Sequence, residues 1–271
     1  MSEKLVKQTI AKVFDQLADT LISGEYGQKP RVAITALGSE HGEDEVIKAA
    51  EGALKFGIDV TLIGSKANEK VNTVLVDSED EAHKKMEELL DSGKVDAAVT
   101  MHYPFPIGVS TVGRIITPGM GKEMFIATTT GTSSTDKVEG MVKNAIYGII
   151  TAKACGIKNP TVGILNVDGA RQTEIALNKL KSKGYDINFA QSGRSDGGAV
   201  MRGNDLLTGS ADVMVMDSLT GNLMIKIFSS YTTGGSYESL GYGYGPGIGE
   251  NFNKLIMIIS RASGAPLIEG A

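Results

Sequence analysis

The feature that most constrains this chain is a repeated alternation of short apolar runs with stretches of helical period. RVAITAL (31–37), DVTLIG (59–64), TVLV (73–76), DAAVT (96–100), EMFIATTT (123–130), TVGILNV (161–167), residues 186–190 and DVMVMD (212–217) read as strands. Between them, 43–56, 79–91, 136–155, 171–183 and 199–208 read as helices, and Gly57 and Gly184 close two of them. Residues 3–22 form a further amphipathic helix with Val6, Ile10, Val13, Phe14, Leu17 and Leu21 on one side, ended by Ser23-Gly24. A helix is also expected around Arg114, after a loop holding Pro104 and Pro106. This order dictates an α/β fold, a mostly parallel sheet with helices on both faces. The rhythm pauses at TPGMGK (117–122), so two halves are expected, 1–120 and 121–271, around a cleft. Helix 1–22 or the C-terminal end is the candidate to pack across them.

Composition narrows the function classes. With 41% hydrophobic residues in 271, a sizeable core is assured, and a net charge of −5 argues against nucleic acid or an anionic membrane as main partner. No apolar stretch has the length of a membrane span, and MSEKLVKQTI is no signal peptide. One cysteine makes no internal disulfide, so a cytoplasmic location is expected. The 34 glycines gather in a few loops, where backbone must come close to something.

Ligands of open α/β sheets sit beyond the carboxyl ends of strands, so those loops hold the candidates. GSEHG, from Gly38 and Ser39 to Gly42, can hold an anion on backbone amides or can be a plain turn with Ser39 capping the helix. TTTGTSSTD (128–136) offers neutral donors at Thr130, Gly131, Thr132 and Ser133, or else simply caps the next helix through Ser134 or Thr135. VDGARQ puts Arg171 in a first helical turn, against the dipole, beside Asp168; a phosphate site and a local ion pair are both open. SGRSDGG, with Arg194, Ser195 and Asp196, is also anion-friendly. The strongest stretch runs from DSLTGN (217–222), through GYGYGPGIG (241–249), to SRAS (260–263). Its alternate glycines imply unusual backbone angles or a ligand, unless they only pack Tyr242 and Tyr244.

Other chemistries fall away. His41, His83 and His102 lack metal-ligand spacing, so no metal is expected, and no dinucleotide or P-loop fingerprint calls for a cofactor. His83 is expected to be solvated on its charged helix. Cys155, at a helix C-terminus that raises thiol pKa, is expected to be a buried small residue rather than a nucleophile.

Several of these passages resemble one superfamily in the right order. NPTVGILN, DSLTGN…IK, VDGARQTEIAL and GPGIG followed by SRAS are similar to segments of phosphotransacetylases and of the phosphate acyltransferases of fatty-acid synthesis. Arg114 matches an arginine near the phosphotransacetylase cleft. MSEKLVKQTIAKVFDQLAD, LGSEHG and GYGYGPGIGENF resemble the smaller (alpha) subunits of glycine reductase protein C. The resemblance implies a three-layer α/β/α fold of the isopropylmalate-dehydrogenase type with its site in an interdomain cleft. It also implies a phosphate acyltransferase that forms acetyl phosphate from an acyl thioester and inorganic phosphate. The partners it implies are a larger beta subunit and a selenoprotein carrier, with homo-oligomers formed through the second half. Members of that family continue past this point with a cysteine-bearing segment, whereas this sequence stops at PLIEGA; a truncated or shortened form is expected, and the step needing that thiol lies outside it.

Phosphate attack on a thioester needs a dianion held beside a carbonyl and little help for the leaving thiolate. On the resemblance, Arg261 and Arg114 supply charge and Ser260 with the 128–133 loop donates hydrogen bonds. Asn222 and Gly245, Pro246 and Gly247 shape the acyl pocket, Asp168 orients an arginine or assists proton movement, and Arg171 adds to phosphate binding. A coenzyme A or acyl-carrier-protein thioester is one alternative. A non-catalytic subunit that only positions a partner is another.

Overall fold

The computed structural model describes residues 29–195 and 197–271, together with 7, 10, 11, 13–15, 17, 18 and 21. Those early residues are helical and leave Ile10, Val13, Phe14, Leu17 and Leu21 exposed. Val6, the Ser23-Gly24 stop and Asp196 lie outside the described residues.

The strands are β1 (Arg31–Thr35), β2 (Asp59–Gly64), β3 (Asn72–Leu75), β4 (Ala97–Thr100), β5 (Ser110–Ile116), β6 (Glu123–Gly131), β7 (Thr161–Leu165), β8 (Asn188–Phe189), β9 (Val200–Met201), β10 (Val213–Val215), β11 (Gly245–Ile248) and β12 (Ile256–Ile258). The helices are α1 (Glu43–Ala53), α2 (Glu79–Asp91), α3 (Lys137–Ala154), α4 (Ala170–Ser182), α5 (Gly203–Thr208), α6 (Ser218–Ser229) and α7 (Ala265–Gly270). Among the described residues the strands make one 12-stranded sheet in the order β3-β2-β1-β4-β12-β11-β5-β6-β10-β7-β8, with β9 also against β7.

The sheet consists of two parallel blocks. In one, β3, β2, β1, β4 and β12 run together; in the other, β6, β10, β7, β8 and β9 do. The pairs β12–β11, β11–β5 and β5–β6 are all antiparallel. Three reversals turn the second block upside down relative to the first, so their carboxyl ends lie at opposite edges of the sheet.

Helices cover both faces, giving the three-layer α/β/α architecture. One face is a single core across both blocks, where Ala33, Ile63, Ala98, Ile258, Ile115, Ile126 and Met214 meet Met86 of α2 and Ile225 and Phe228 of α6. The other face is split. Ile34, Val60, Val99 and Met257 pack on α1 and α7; Val112, Phe125, Val162 and Val213 pack on α3 and α4. The alternation of faces along each strand follows the two-residue period of the pleat.

Several elements differ from the sequence reading. Arg114 lies in a strand, not a helix. Gly113 interrupts any helical stripe, and β6 offers Ser110–Ile116 a ladder in which Gly113 faces Ile126 and Arg114 faces Phe125. Residues 117–122 are the turn of that hairpin, closed by Thr117 N–H to the Lys122 carbonyl at 2.7 Å. The 199–208 helix divides into β9 and α5, because Val200 and Met201 pair with β7 and Asp205 caps the short helix through the Arg202 N–H. The helix α6, strands β11 and β12 and helix α7 were not foreseen.

The glycine stretch explains itself in the seam between the blocks. Gly241, Gly243 and Gly245 have φ of +96°, +72° and +87°. A Cβ on Gly245 would collide with the Val112 carbonyl, and one on Gly247 with the Phe105 ring. The unusual angles are real, and the surface approached is β5 backbone and an aromatic ring.

Candidate active site

The carboxyl ends of β1, β4 and β12 bring their loops to one edge. Ser260 and Arg261 follow β12, Gly38 and Ser39 follow β1, and α2 presents Glu79 and His83. The Arg261 guanidinium grips Glu79 with two bonds, Nη1 to Oε1 at 3.0 Å and Nη2 to Oε2 at 2.6 Å, and Nη1 also donates to the Gly38 carbonyl at 2.9 Å. A side chain at position 38 would occupy that guanidinium's place, and Gly38 has φ +93°. The hydrogen bonds from Arg261 hold the Glu79 carboxyl below its ordinary range against the effect of burial, with smaller pulls from the charges of Arg261, His83 and His102. The two side chains are 41% and 43% exposed, so the fork opens to solvent.

Main-chain bonds lock the loops together: Glu40 N–H reaches the Arg261 carbonyl at 2.8 Å, and the His41 ring Nε2 lies 3.2 Å from the Ala262 carbonyl. Ser39 is not the helix cap. Its Oγ accepts from His41 N–H within the turn, and Gly42 stands at the N-cap with no side chain to offer. His83 is half-buried rather than solvated, 3.2 Å from Thr100 Oγ1, which in turn meets Thr35 Oγ1 at 2.7 Å.

Beside Arg261, the Ser260 hydroxyl accepts from Ala262 N–H at 3.1 Å, and Ser260 N–H donates to the Ser263 hydroxyl at 3.0 Å. Tyr244 donates to Glu238 Oε1 at 3.0 Å, and Lys226 Nζ of α6 is 3.7 Å from the same oxygen. Burial, then the charge of Glu238, pushes the Tyr244 phenol far above its ordinary range.

The opposite edge, at the ends of β6 and β10, gathers the hydroxyls. Thr111 Oγ1 meets Thr129 Oγ1 at 2.6 Å, Ser133 Oγ bonds to Ser110 Oγ at 2.7 Å and to Asn144, and Asn144 Nδ2 donates to the Met216 carbonyl at 3.0 Å. Thr128 Oγ1 bonds to the Thr111 carbonyl. Asn222 Nδ2 reaches the Thr129 carbonyl at 3.1 Å. Most of these groups are buried and consume one another's donors. Helix α3 is capped by Asp136, accepting from Glu139 N–H at 2.8 Å, and not by Ser134 or Thr135. Beside it, Thr132, Ser134, Lys137 and Asp217 line a hollow of about 90 Å³.

The structure therefore brings together Gly38, Ser39, Ser260 and Arg261, and sets Thr130, Gly131, Thr132, Ser133 and Asn222 at the far edge. Gly245, Pro246 and Gly247 form β11 between them. Asp168 orients no arginine: it is 89% exposed and paired with Lys137 at 2.7 Å. Arg171 pairs locally with Glu174 at 3.0 Å. Arg114 reaches the Ser260 edge but on the sheet face that carries Phe125, where it pairs with Glu123 and stacks on Tyr242, 4.3 Å from the ring centroid. Cys155 is exposed, not buried, because it caps the C-terminus of α3. Sequence reasoning did not single out Glu79, Glu238 or Lys226 and took Tyr244 only as a packing aromatic; no local motif marks a carboxylate that meets its arginine 182 residues later.

A branched-chain phosphotransacylase from Enterococcus faecalis V583 matches the fold with a TM-score of 0.59 at 15% identity, over 89% of this chain and 96% of that one. The family model described as "Fatty acid synthesis protein" matches residues 30–265. The glycine/sarcosine/betaine reductase complex component C subunit alpha of Peptoclostridium acidaminophilum is 63% identical over 268 residues, 98% of this chain and 70% of that protein. The phosphate acyltransferase of Geobacillus sp. (strain WCH70) is 27% identical over 238 residues, 72% of this chain and 70% of its own length. The chain belongs to the fatty acid synthesis protein family and, within it, groups with the component C alpha subunits of glycine/sarcosine/betaine reductase complexes. Among the described residues no helix is long and apolar enough to cross a membrane.

Proposed function

We propose that this chain exchanges an acyl group between a thioester and inorganic phosphate, yielding acetyl phosphate in a glycine reductase setting. The observation that carries the reading is the Ser260–Arg261 pair at the end of β12, with a solvent-open guanidinium held, among the described residues, by one carboxylate and one carbonyl. A planar fork of this kind takes a phosphate dianion bidentately. Phosphate displaces or joins Glu79 on Arg261, beside the Ser260 hydroxyl. A phosphate oxygen then attacks the thioester carbonyl carbon, the C–S bond breaks, and the thiolate leaves with the electron pair. With a thiol pKa of about 8.5 the leaving group needs little acid assistance. The hydroxyl-rich far edge is not required for the phosphate in this reading.

The same reading makes 1–120 and 121–271 two halves that close on the thioester, with β12 and α7 packed across onto the first block. It places the chain in the cytoplasm beside a larger beta subunit and a selenoprotein carrier, as a homo-oligomer. The test is ³¹P NMR of the complete protein with inorganic phosphate and an acetyl thioester. An acetyl phosphate resonance that grows with enzyme supports the proposal; unchanged phosphate, in a folded protein with its partner subunits present, overturns it and leaves a positioning subunit.

A further inference from the structure

Glu79 and Gly38 occupy one side of the Arg261 guanidinium and leave another open. Nη1 uses both of its N–H groups, on Glu79 Oε1 at 3.0 Å and on the Gly38 carbonyl at 2.9 Å, and Nη2 uses one on Glu79 Oε2 at 2.6 Å. The second N–H of Nη2 and the N–H of Nε have no partner among the described residues. In a planar guanidinium these two lie side by side, an edge that matches two oxygens of a phosphate. Arg114 makes the contrast. Its Nε is also unpaired among the described residues, but it is sealed from solvent beside the Phe125 and Tyr242 rings, whereas the Arg261 side chain is 41% exposed.

Resting on the acyl-transfer reading above, we infer that Glu79 is the positioning residue of the phosphate site. It clamps the end of the Arg261 fork so that the Nε–Nη2 edge is the one presented, and phosphate joins Glu79 on the guanidinium rather than displacing it.

The clamp is built from three sides. Helix α2 starts at Ser78, whose Oγ accepts from Glu81 N–H at 3.2 Å, and Glu81 Oε2 accepts from Asp77 N–H at 3.1 Å; these bonds fix the turn that carries Glu79. The Arg261 main chain is fixed separately, by Glu40 N–H to the Arg261 carbonyl at 2.8 Å and Ser263 N–H to the Ser260 carbonyl at 3.1 Å. Each partner is thus anchored by its own backbone, and what Glu79 controls is the direction of the Arg261 side chain. Gly38 supplies the third side. A Cβ there would stand 2.3 Å from Nη1 and 3.0 Å from the Glu79 carboxyl carbon, so only a bare backbone lets the guanidinium reach the Gly38 carbonyl. An unclamped arginine loses rotamer freedom when it takes an anion, and a clamped one has lost it already. That advantage is set against the repulsion between the Glu79 carboxylate and the phosphate. Glu79 touches neither phosphate nor thioester; it acts through Arg261.

The experiment is the rate of acetyl phosphate formation against phosphate concentration, by the complete protein with its partner subunits. If the guanidinium freed in Glu79→Ala presents its edge about a tenth of the time, phosphate KM rises about tenfold with kcat within about twofold. Glu79→Gln keeps one acceptor oxygen for the fork and is expected to recover part of this, with KM up about threefold. In an Arg261→Gln background, Glu79→Ala should raise KM no further, because nothing is left to position. A denaturation midpoint that falls in Glu79→Ala while KM stays at the wild-type value assigns the pair to holding α2 and overturns the proposal. A KM that falls in Glu79→Ala and Glu79→Gln makes the carboxylate a competitor of phosphate, and a rise that persists undiminished without Arg261 makes it act elsewhere; either overturns positioning and leaves acyl transfer standing. An unchanged phosphate KM in Arg261→Gln, or no acyl phosphate from the wild type, overturns both.

Discussion

The two edges of the sheet use their polar residues in opposite ways. At the far edge, Ser110, Thr111, Thr128, Thr129, Ser133 and Asn144 bond to one another and to carbonyls, so a stretch dense in hydroxyls has little capacity left for a ligand. At the Ser260 edge fewer groups meet, but among the described residues they are incompletely matched: a half-exposed guanidinium fork and a buried carboxylate with one unpaired oxygen. What marks a site is unspent hydrogen-bonding capacity rather than the number of donors, because a satisfied network contributes to stability and a partly satisfied one is poised for a partner. Tyr244 links the two edges, its carbonyl accepting from Thr129 Oγ1 at 2.7 Å and its hydroxyl serving Glu238.

The comparison can be broken at several points. The largest effect is expected at the seam. Gly245→Ala puts a Cβ into the Val112 carbonyl at a positive φ, and should cost about 3 kcal/mol, read as a fall in the denaturation midpoint. Stability within error of wild type would show that β11 is looser than its pairing indicates. Next, Arg261→Gln should raise the phosphate requirement about 100-fold with little change in stability, since the fork is lost and Glu79 is exposed enough to be rehydrated. An unchanged phosphate dependence removes Arg261 from the site.

Asp205 tests the structural side of the second block. It is 2% exposed, and despite burial its bonds from Arg202 N–H, Gly193 N–H, Ser192 and Ser210 hold it at about 2. A folded value below the unfolded one stabilises above the unfolded pKa of about 3.9 and loses that contribution as pH falls through the folded value. Acid titration of stability should therefore show a loss of about 2 kcal/mol between about pH 4 and pH 2 that Asp205→Asn abolishes. The same acid slope in both proteins would reject this assignment. The smallest change separates the edges most cleanly: Ser133→Ala should cost about 1.5 kcal/mol, from the orphaned Asn144 oxygen, and leave the phosphate KM within about twofold. A large rise in KM would restore the 128–133 loop as a phosphate site.

Much of the fold was legible because strands buried on both faces leave uninterrupted apolar runs, as in RVAITAL and DVMVMD, and glycines such as Gly57 and Gly184 punctuate them. The misses share a physical cause. STVGRII and GYGYGPGIG carry glycine in strands, where propensity argues against sheet, and only the pairing of β5, β6, β11 and β12 rescues them. The site was legible in part. Ser260, Arg261 and Gly38 converge, whereas Glu79, Glu238 and Lys226 come from elements that neighbour Arg261 and Tyr244 only after the sheet has formed. Arg114 was misplaced because its helix was.

The most direct measurement is arsenate-dependent breakdown of acetyl phosphate by the complete protein, comparing wild type, Arg261→Gln and Ser133→Ala. The account predicts robust breakdown by wild type and Ser133→Ala, and loss with Arg261→Gln that high arsenate partly restores. Loss with Ser133→Ala while Arg261→Gln stays active would place the anion at the opposite edge and contradict it.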